Sequence, residues 1–253
     1  MIIPVWVIFA SSTHTSLFIN TNGLQFILGD SFIENYSKVL FKKSGFFQEI
    51  TAIKMFINSF IMASGIATLS VTTSLMAAYG LVYFRIRYAS LFFWLIFITL
   101  LVPLELRIMP TYEIMSKLNL LNSYTGLILP ISASAIATFF FRQFYKSIPD
   151  ELLEAAKLDG ANSWKFFIDF LVPLSKTMIA AVFIFMFVFG YNQYLWPLIM
   201  TTSEQYWTVV MGLKTMYGSI SQRFAFVIMS MIPPILIIIF LQRWFIQGIF
   251  QNK

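Results

Sequence analysis

Residues suited to recognising a partner are concentrated in one polar segment, 147–167, of an otherwise apolar sequence. The residues of greatest interest in it are Glu154, Ala155, Ala156, Asp159 and Gly160. Pro149 suits the first turn of a helix, and Gly160 suits the left-handed residue that follows a helix end. We therefore predict a short helix from about Pro149 to Asp159.

A helix of this composition can bind in a groove on another protein. Small Ala155 and Ala156 permit close approach, and Glu154 can accept a charge-assisted hydrogen bond from a basic partner. The alternative is an amphipathic helix that rests on lipid, although its acidic beginning suits an anionic leaflet poorly. The residues alone leave both interpretations open.

A second short helix is expected directly after the first. Asn162 or Ser163 can cap it, and it should continue to about Phe170 before Pro173 breaks it. The two helices together predict a helix-turn-helix that lies at the membrane surface.

Residues for catalysis or metal binding are scarce. The sequence has no cysteine and a single histidine, His14, so thiolate sites and zinc sites are not expected. It contains no Gly-x-x-x-x-Gly-Lys-Ser/Thr phosphate loop. We therefore predict a protein that is not an enzyme and holds no cofactor. The net charge of +6 is spread singly between apolar runs, so nucleic acid is not an expected partner either.

The elements that must position these residues are membrane helices, because 58% of the residues are hydrophobic and only 11% are charged. Residues 1–10 are apolar but too short to cross a bilayer, and they lack the basic start and cleavage site of a signal peptide. We predict an all-α polytopic helical bundle, residues 1–253 forming one transmembrane domain, with a truncated first span and five complete ones. The complete spans lie in charge-free runs between Lys54 and Arg85, Arg87 and Glu105, Lys117 and Arg142, Lys176 and Glu204, and Arg223 and Arg243.

The orientation follows from the short loop Arg85-Ile86-Arg87, since basic loops favour the cytoplasm. This places the segment from Arg142 to Lys176 and the C-terminus inside, and residues 11–53 outside. Total Lys and Arg counts, nine inside and eight outside, barely discriminate. The small residues of the first complete span predict that it packs inside the bundle.

Polar residues interrupt the fourth run at Asn192, Gln193 and Tyr194. At membrane depth such side chains face protein or a cavity, so they are candidates for lining a translocation path. Hydrogen bonds between helices are an equally good explanation. Glu105 and Arg107, near the outer end of the second complete span, are expected to snorkel, pair or meet a partner, with a structural role favoured.

Glu154-Ala155-Ala156, then Gly160 after three residues, and Pro-Leu-Ser-Lys from Pro173 to Lys176 resemble the EAA loop of ABC importer permease subunits. The maltose-type carbohydrate group of this family shares the loop, and the stretches 92–94, 96–100, 141–144 and 191–198 resemble more closely its members that import sn-glycerol-3-phosphate.

This resemblance implies a bacterial inner-membrane subunit that pairs with a homologous permease, two cytoplasmic ATPase subunits and a periplasmic binding protein. The segment of about 147–176 would be its cytoplasmic coupling loop. Glu154 would contact the ATPase groove and Gly160 would form the turn, with Ala155, Ala156 and Asp159 completing the motif. The implied substrate is sn-glycerol-3-phosphate or a related glycerophosphodiester. A neutral sugar remains an alternative, as does a secondary transporter, although no internal repeat or mid-membrane charge favours the latter.

Overall fold

The computed structural model describes residues 2–41, 50–84 and 86–250, without the side chains of residue 104 and of residues 243–250. The regular secondary structure of these described residues consists of helices without a β-strand, which confirms the predicted all-α class. The α-helices are α1 (Ile2–Ser12), α2 (Ser16–Asn22), α3 (Phe32–Phe41), α4 (Ala52–Tyr83), α5 (Ala89–Ile98), α6 (Leu104–Lys117), α7 (Tyr124–Ser132), α8 (Ala135–Lys146), α9 (Asp150–Leu158), α10 (Ser163–Lys165), α11 (Val172–Leu174), α12 (Lys176–Tyr191), α13 (Leu195–Met200), α14 (Val209–Thr215) and α15 (Ile220–Phe250).

Two helical stretches are long and apolar enough to cross a membrane by themselves, Ala52–Tyr83 and Ile220–Gln242. Three bent helix pairs also qualify if each counts as one span, which raises the number to five among the described residues. The bends measure 104° between α5 and α6, 46° between α7 and α8, and 73° at the start of α12. The number of complete spans therefore stays a prediction. The orientation does too, since Arg85 and residues 251–253 lie outside the described residues.

The predicted second span ends differently from the charge-free run. α5 stops at Ile98, a 3₁₀ turn follows at Thr99–Leu101, and α6 begins before Glu105 and continues to Lys117. Val102 has an extended backbone because the residue before a proline, here Pro103, disfavours the helical conformation. The charge-free run therefore marks only the first part of a bent pair.

Contacts divide the chain into two compact units, each described by itself. The first comprises residues 1–62, 115–127 and 191–236, and the second comprises 63–114, 128–190 and 237–253.

In the first unit, buried polar groups tie α1 to α3. The Asn35 amide donates to the carbonyls of Ser12 and His14, both at 2.9 Å. The Ser12 and Tyr36 hydroxyls lie 2.9 Å apart. Burial raises the pKa of Tyr36 above its ordinary value, and the hydrogen bond to Ser12 partly offsets this rise. Tyr36 is therefore neutral at physiological pH and remains available as a hydrogen-bond donor.

A second tie in this unit compensates for a proline. Pro234 has no N–H, so the carbonyl of Ser230, four residues earlier in α15, loses its helical donor. The Tyr191 hydroxyl donates to that carbonyl at 3.0 Å. A proline inside a membrane helix is tolerated when a neighbouring side chain satisfies the freed backbone group in this way.

The sequence predicts that the first complete span packs through its small residues, and in the second unit several small residues of α4 are buried while Thr72 and Thr73 are exposed. Five small residues are at most 1% exposed: Ala63, Ala67, Ser70, Ser74 and Ala78. Ser70 Oγ donates to the Ser132 carbonyl at 2.8 Å, and Ser74 Oγ donates to the Ser134 carbonyl at 3.3 Å. These two serines, one helical turn apart, satisfy carbonyls at the break between α7 and α8.

Removing both hydroxyls, Ser70→Ala with Ser74→Ala, should destabilise the protein by about 1–2 kcal/mol, the usual scale for two hydrogen bonds between membrane helices. Thermal unfolding in detergent should show Tm lower by roughly 3–6 °C. The control is Thr72→Ala, whose exposed hydroxyl bonds its own helix at the Thr68 carbonyl and should leave Tm nearly unchanged. Equal Tm values for the serine pair and the control would contradict this role.

Candidate docking surface and translocation path

The first helix of the predicted surface segment is α9, which runs from Asp150 to Leu158, within one residue of the predicted bounds. Gly160 follows it with φ of 74°, the left-handed conformation predicted for this position. The Ala161 N–H donates to the Ala156 carbonyl at 2.9 Å, and the Gly160 N–H donates to the Lys157 carbonyl at 3.0 Å. These two bonds form a Schellman motif, which terminates α9 and turns the chain towards α10.

The second helix begins as predicted and ends later than predicted. Asn162 caps it, because its side chain accepts a hydrogen bond from the Lys165 N–H at 2.8 Å. The expected end near Phe170 is wrong: a π-helical stretch, Phe166–Leu171, leads into α11, which contains Pro173 and ends at Leu174. Pro173 lies within the continuous helical stretch Ser163–Leu174, and the 73° bend follows it at the start of α12.

α9 packs against other residues of the second unit through Ala156, the buried residue of the motif. Ala156 is only 1% exposed and lines a cavity of about 90 Å³ together with Tyr79 and Tyr83 near the end of α4. The Tyr79 hydroxyl donates to the Ser163 carbonyl at 2.7 Å, and its ring lies 4.9 Å from that of Phe167. The small size of Ala156 therefore brings α9 close to its own chain, whereas the sequence suggested close approach to a partner.

The other motif residues lie on the outside: Glu154, Ala155, Asp159 and Gly160 are all exposed. Within the described residues, the Glu154 carboxylate makes no hydrogen bond or ion pair. Two large apolar side chains accompany it, with Leu158 90% exposed and Trp164 58% exposed. We call these six residues the docking surface. Leu158 follows Glu154 by four residues, so these two side chains share one face of α9.

The sequence did not reveal the exposed Leu158 and Trp164. It also did not reveal that Tyr79 and Tyr83 lie beside α9. Leu158 and Trp164 were detectable as apolar residues within a polar segment. The tyrosines had no such mark, because an aromatic residue near the end of a membrane helix has several ordinary explanations.

The residues predicted for the translocation path form the break between α12 and α13. Asn192 is exposed and lines a cavity of about 240 Å³ in the first unit, beside Tyr191 and Ser230. Gln193 and Tyr194 are half-buried and do not line that cavity. The break thus places one of the three predicted residues at a cavity. A path through it stays a prediction.

A larger polar cavity, of about 260 Å³, lies within the second unit. It is bounded by the 3₁₀ turn after α5, the beginning of α6, the break between α7 and α8, and the middle of α12. Arg107 lines it, although the sequence favoured a structural role for that residue. Among the described residues, no group of three or more His, Asp or Glu side chains is placed to hold a metal ion.

Comparison with known proteins gives a consistent set of similarities. The model of a family described as "Binding-protein-dependent transport system inner membrane component" matches residues 70–251. The sn-glycerol-3-phosphate transport system permease protein UgpE of Yersinia pestis bv. Antiqua (strain Antiqua) is 48% identical over 205 residues, which cover 79% of this chain and 73% of that protein. The protein of the same name from Brucella melitensis biotype 1 is 40% identical over 256 residues, covering 99% and 91%.

A solved structure has the same fold. It is the crystal structure of a bacterial ABC transporter involved in the import of the acidic polysaccharide alginate. One of its chains matches with a TM-score of 0.76 over 96% of this chain and 90% of its own length. The sequence identity is 24%, so this likeness concerns the fold alone.

Proposed function

We propose, since this chain belongs to the family of binding-protein-dependent transport system inner membrane components, that it forms part of the path by which an importer moves sn-glycerol-3-phosphate or a related glycerophosphodiester. The observation that carries the substrate is the identity of 40% to 48% with proteins named as sn-glycerol-3-phosphate permeases, over most of the chain. The membrane location follows from the family and from the apolar helices.

The importer we envisage contains this chain, a homologous permease, two cytoplasmic ATPase subunits and a periplasmic binding protein, all within or beside the lipid bilayer. In this arrangement residues 1–253 act as one transmembrane domain and the C-terminus is cytoplasmic. The docking surface binds the ATPase: Glu154 meets a basic side chain there, while Leu158 and Trp164 bury apolar area. ATP hydrolysis is supplied by that partner.

Coupling follows from how α9 is attached. If α9 moved with the ATPase, Ser163 and Phe167 in the following helical stretch would move with it. Both contact Tyr79 of α4, Ser163 through a hydrogen bond and Phe167 through its ring. Force on the docking surface would therefore reach a membrane helix through packed groups instead of a loose loop. Such motion drives transport only if ATP binds the two conformations of the importer with different affinity.

The test of the substrate uses the whole importer in liposomes. sn-Glycerol-3-phosphate, a glycerophosphodiester and maltose are compared as stimulators of ATP hydrolysis and as solutes taken up with the binding protein. Stimulation and uptake with a phosphate-bearing solute alone would support the proposal. Uptake of maltose alone would keep the importer and overturn the substrate, and uptake driven by an ion gradient without ATPase would overturn the transport class.

The left-handed turn of the coupling loop gives a separate prediction. A Cβ at Gly160 would meet no atom within 4 Å, so Gly160→Ala introduces backbone strain alone, about 1–2 kcal/mol. We expect the ATPase subunit to bind up to about tenfold more weakly, measured by titration of the purified complex. Gly160→Asn should lose less affinity for the ATPase subunit, because Asn tolerates the left-handed conformation.

Gly23 provides a matched control for that variant. It has the same φ of 74°, ends α2, and a Cβ at this position would likewise meet open space. Its ψ of −165° lies in a region that essentially only Gly adopts, so Gly23→Ala should impose at least as much strain outside the coupling loop and leave ATPase affinity unchanged. Equal losses in the two alanine variants would mean that general destabilisation, not the turn at Gly160, weakens binding.

A further inference from the structure

The cavity of about 260 Å³ in the second unit differs from the other large cavities in its polar wall. Its lining includes Thr99, Arg107 and Ser134. Its apolar side comes from α12, with Phe185 and Phe189. The volume lies just below the roughly 300–1,000 Å³ typical of sites for drug-sized ligands, so it suits a small metabolite.

Arg107 is the one ionisable residue among the described residues that line this cavity. Its guanidinium makes no ion pair or hydrogen bond within the described part of the chain. Glu105 lies two positions earlier on α6, and residues two apart on a helix do not face each other. Arg107 is exposed and lines the cavity, so its guanidinium is available to an anionic group of a solute.

The break between α7 and α8 adds hydrogen-bond donors to the same cavity. Ala135 and Ile136, the first two residues of α8, both line it. Ser134 satisfies the next N–H, that of Ala137, at 3.2 Å, but no described bond uses the N–H groups of Ala135 and Ile136. The beginning of a broken membrane helix, with free N–H groups and the positive end of its dipole, favours an anionic group of a substrate.

We propose that this cavity binds the phosphate of the transported solute, with Arg107 as the residue that contacts it and the beginning of α8 as its second wall. The inference rests on the proposed function, because it requires a substrate that carries a phosphate. A guanidinium can form two parallel hydrogen bonds to a phosphate, which a lysine does not reproduce. Phe185 and Phe189 then face the glycerol part of the solute.

The first experiment measures uptake by the complete importer in liposomes. Arg107→Gln should lower sn-glycerol-3-phosphate uptake at limiting concentration by roughly ten- to hundredfold, the effect of losing a charged hydrogen-bond partner. Arg107→Lys should lie between Arg107→Gln and the wild type. The control is Lys117→Gln, which removes a positive charge from the same helix outside the cavity and should retain wild-type uptake.

The possible outcomes separate this inference from the proposed function. If the wild type takes up no phosphate-bearing solute, the proposed function and the phosphate site are both contradicted. If the wild type takes up sn-glycerol-3-phosphate and Arg107→Gln does so equally well, the importer stands and the phosphate site is overturned. Uptake that falls equally in Lys117→Gln would also overturn it, since the effect would then follow net charge.

A second measurement does not depend on turnover and remains informative if Arg107→Gln fails to assemble. The chain has no cysteine, so Ala133→Cys places a single thiol in the cavity wall, where Ala133 is exposed. In an importer whose other subunits also lack reactive thiols, sn-glycerol-3-phosphate and inorganic phosphate should slow alkylation of this thiol several-fold, and glycerol should not. Ser116→Cys, exposed on α6 outside the cavity, should react at one rate throughout.

Absence of protection at Ala133→Cys would overturn the proposal. It would also be the result if a lipid headgroup supplied the phosphate, because an added solute would then leave the occupancy of the cavity unchanged. Protection that persists unchanged when Arg107→Gln is combined with Ala133→Cys would show that Arg107 is not the phosphate ligand.

Discussion

Glu154→Lys is expected to abolish recovery of the ATPase subunit with this chain and, with it, binding-protein-stimulated ATP hydrolysis. The Glu154 carboxylate is exposed and makes no bond of its own among the described residues, so it is available to a basic partner. Reversing its charge places two positive groups together, which costs several kcal/mol at an interface. The ATPase affinity should therefore fall at least about hundredfold, as measured by co-purification and titration.

The matched control is Asp169→Lys, which makes the same change of charge at an exposed position in the π-helical stretch of the coupling loop, outside the motif. It should retain most of the ATPase affinity. Glu154→Gln should lie between, since it keeps the shape and loses only the charge. Equal recovery of the ATPase with Glu154→Lys and with the wild type would contradict the docking role.

Asn58→Ala is expected to have the largest effect on stability. Asn58 is fully buried in the first unit, and its amide donates to the carbonyls of Gln205 and Trp207, both at 2.8 Å. Its carbonyl oxygen accepts a hydrogen bond from the Tyr124 hydroxyl at 2.7 Å. Alanine would leave all three partners unsatisfied, at a cost of about 3–5 kcal/mol, and lower Tm by roughly 10 °C.

Thermal unfolding in detergent checks this, with Asn20→Ala as the control because Asn20 is exposed and has no described side-chain bond. Hydrogen exchange should also become faster at residues 203–208, which Asn58 holds in place. A Tm within about 2 °C of the wild type, with unchanged exchange in that loop, would show that Asn58 does not anchor it.

The coupling loop illustrates how far local sequence can go. The bounds of α9, the cap at Asn162 and the left-handed Gly160 were all predictable, because each depends on a few neighbouring residues and their backbone preferences. The end of the second helix was not, since the helical stretch continues through a π-helical segment to Leu174 and bends only at the start of α12. Local propensity predicted that the helix ends before Pro173, but it does not reveal a π-helical segment.

The spans show a similar division. Charge-free runs located the long apolar helical stretches, because hydrophobicity is a property of composition along the chain. They did not predict the break at Val102 or the break between Ser132 and Ala135. At the second break, backbone carbonyls lose their helical donors and must find donors elsewhere. Ser70 and Ser74 supply two of these donors from 60 or more residues away in sequence. No local pattern reveals such a pairing.

The sequence by itself determined the membrane class, the all-α fold, the helix-turn-helix of the coupling loop and the family resemblance, because these follow from composition, spacing and backbone preference. Only the tertiary structure decided which half of the motif faces outwards, which residues seat α9, and that Arg107 lines a cavity with the beginning of α8. Those outcomes depend on side chains brought together from distant positions, where burial and the pairing of polar groups decide the arrangement.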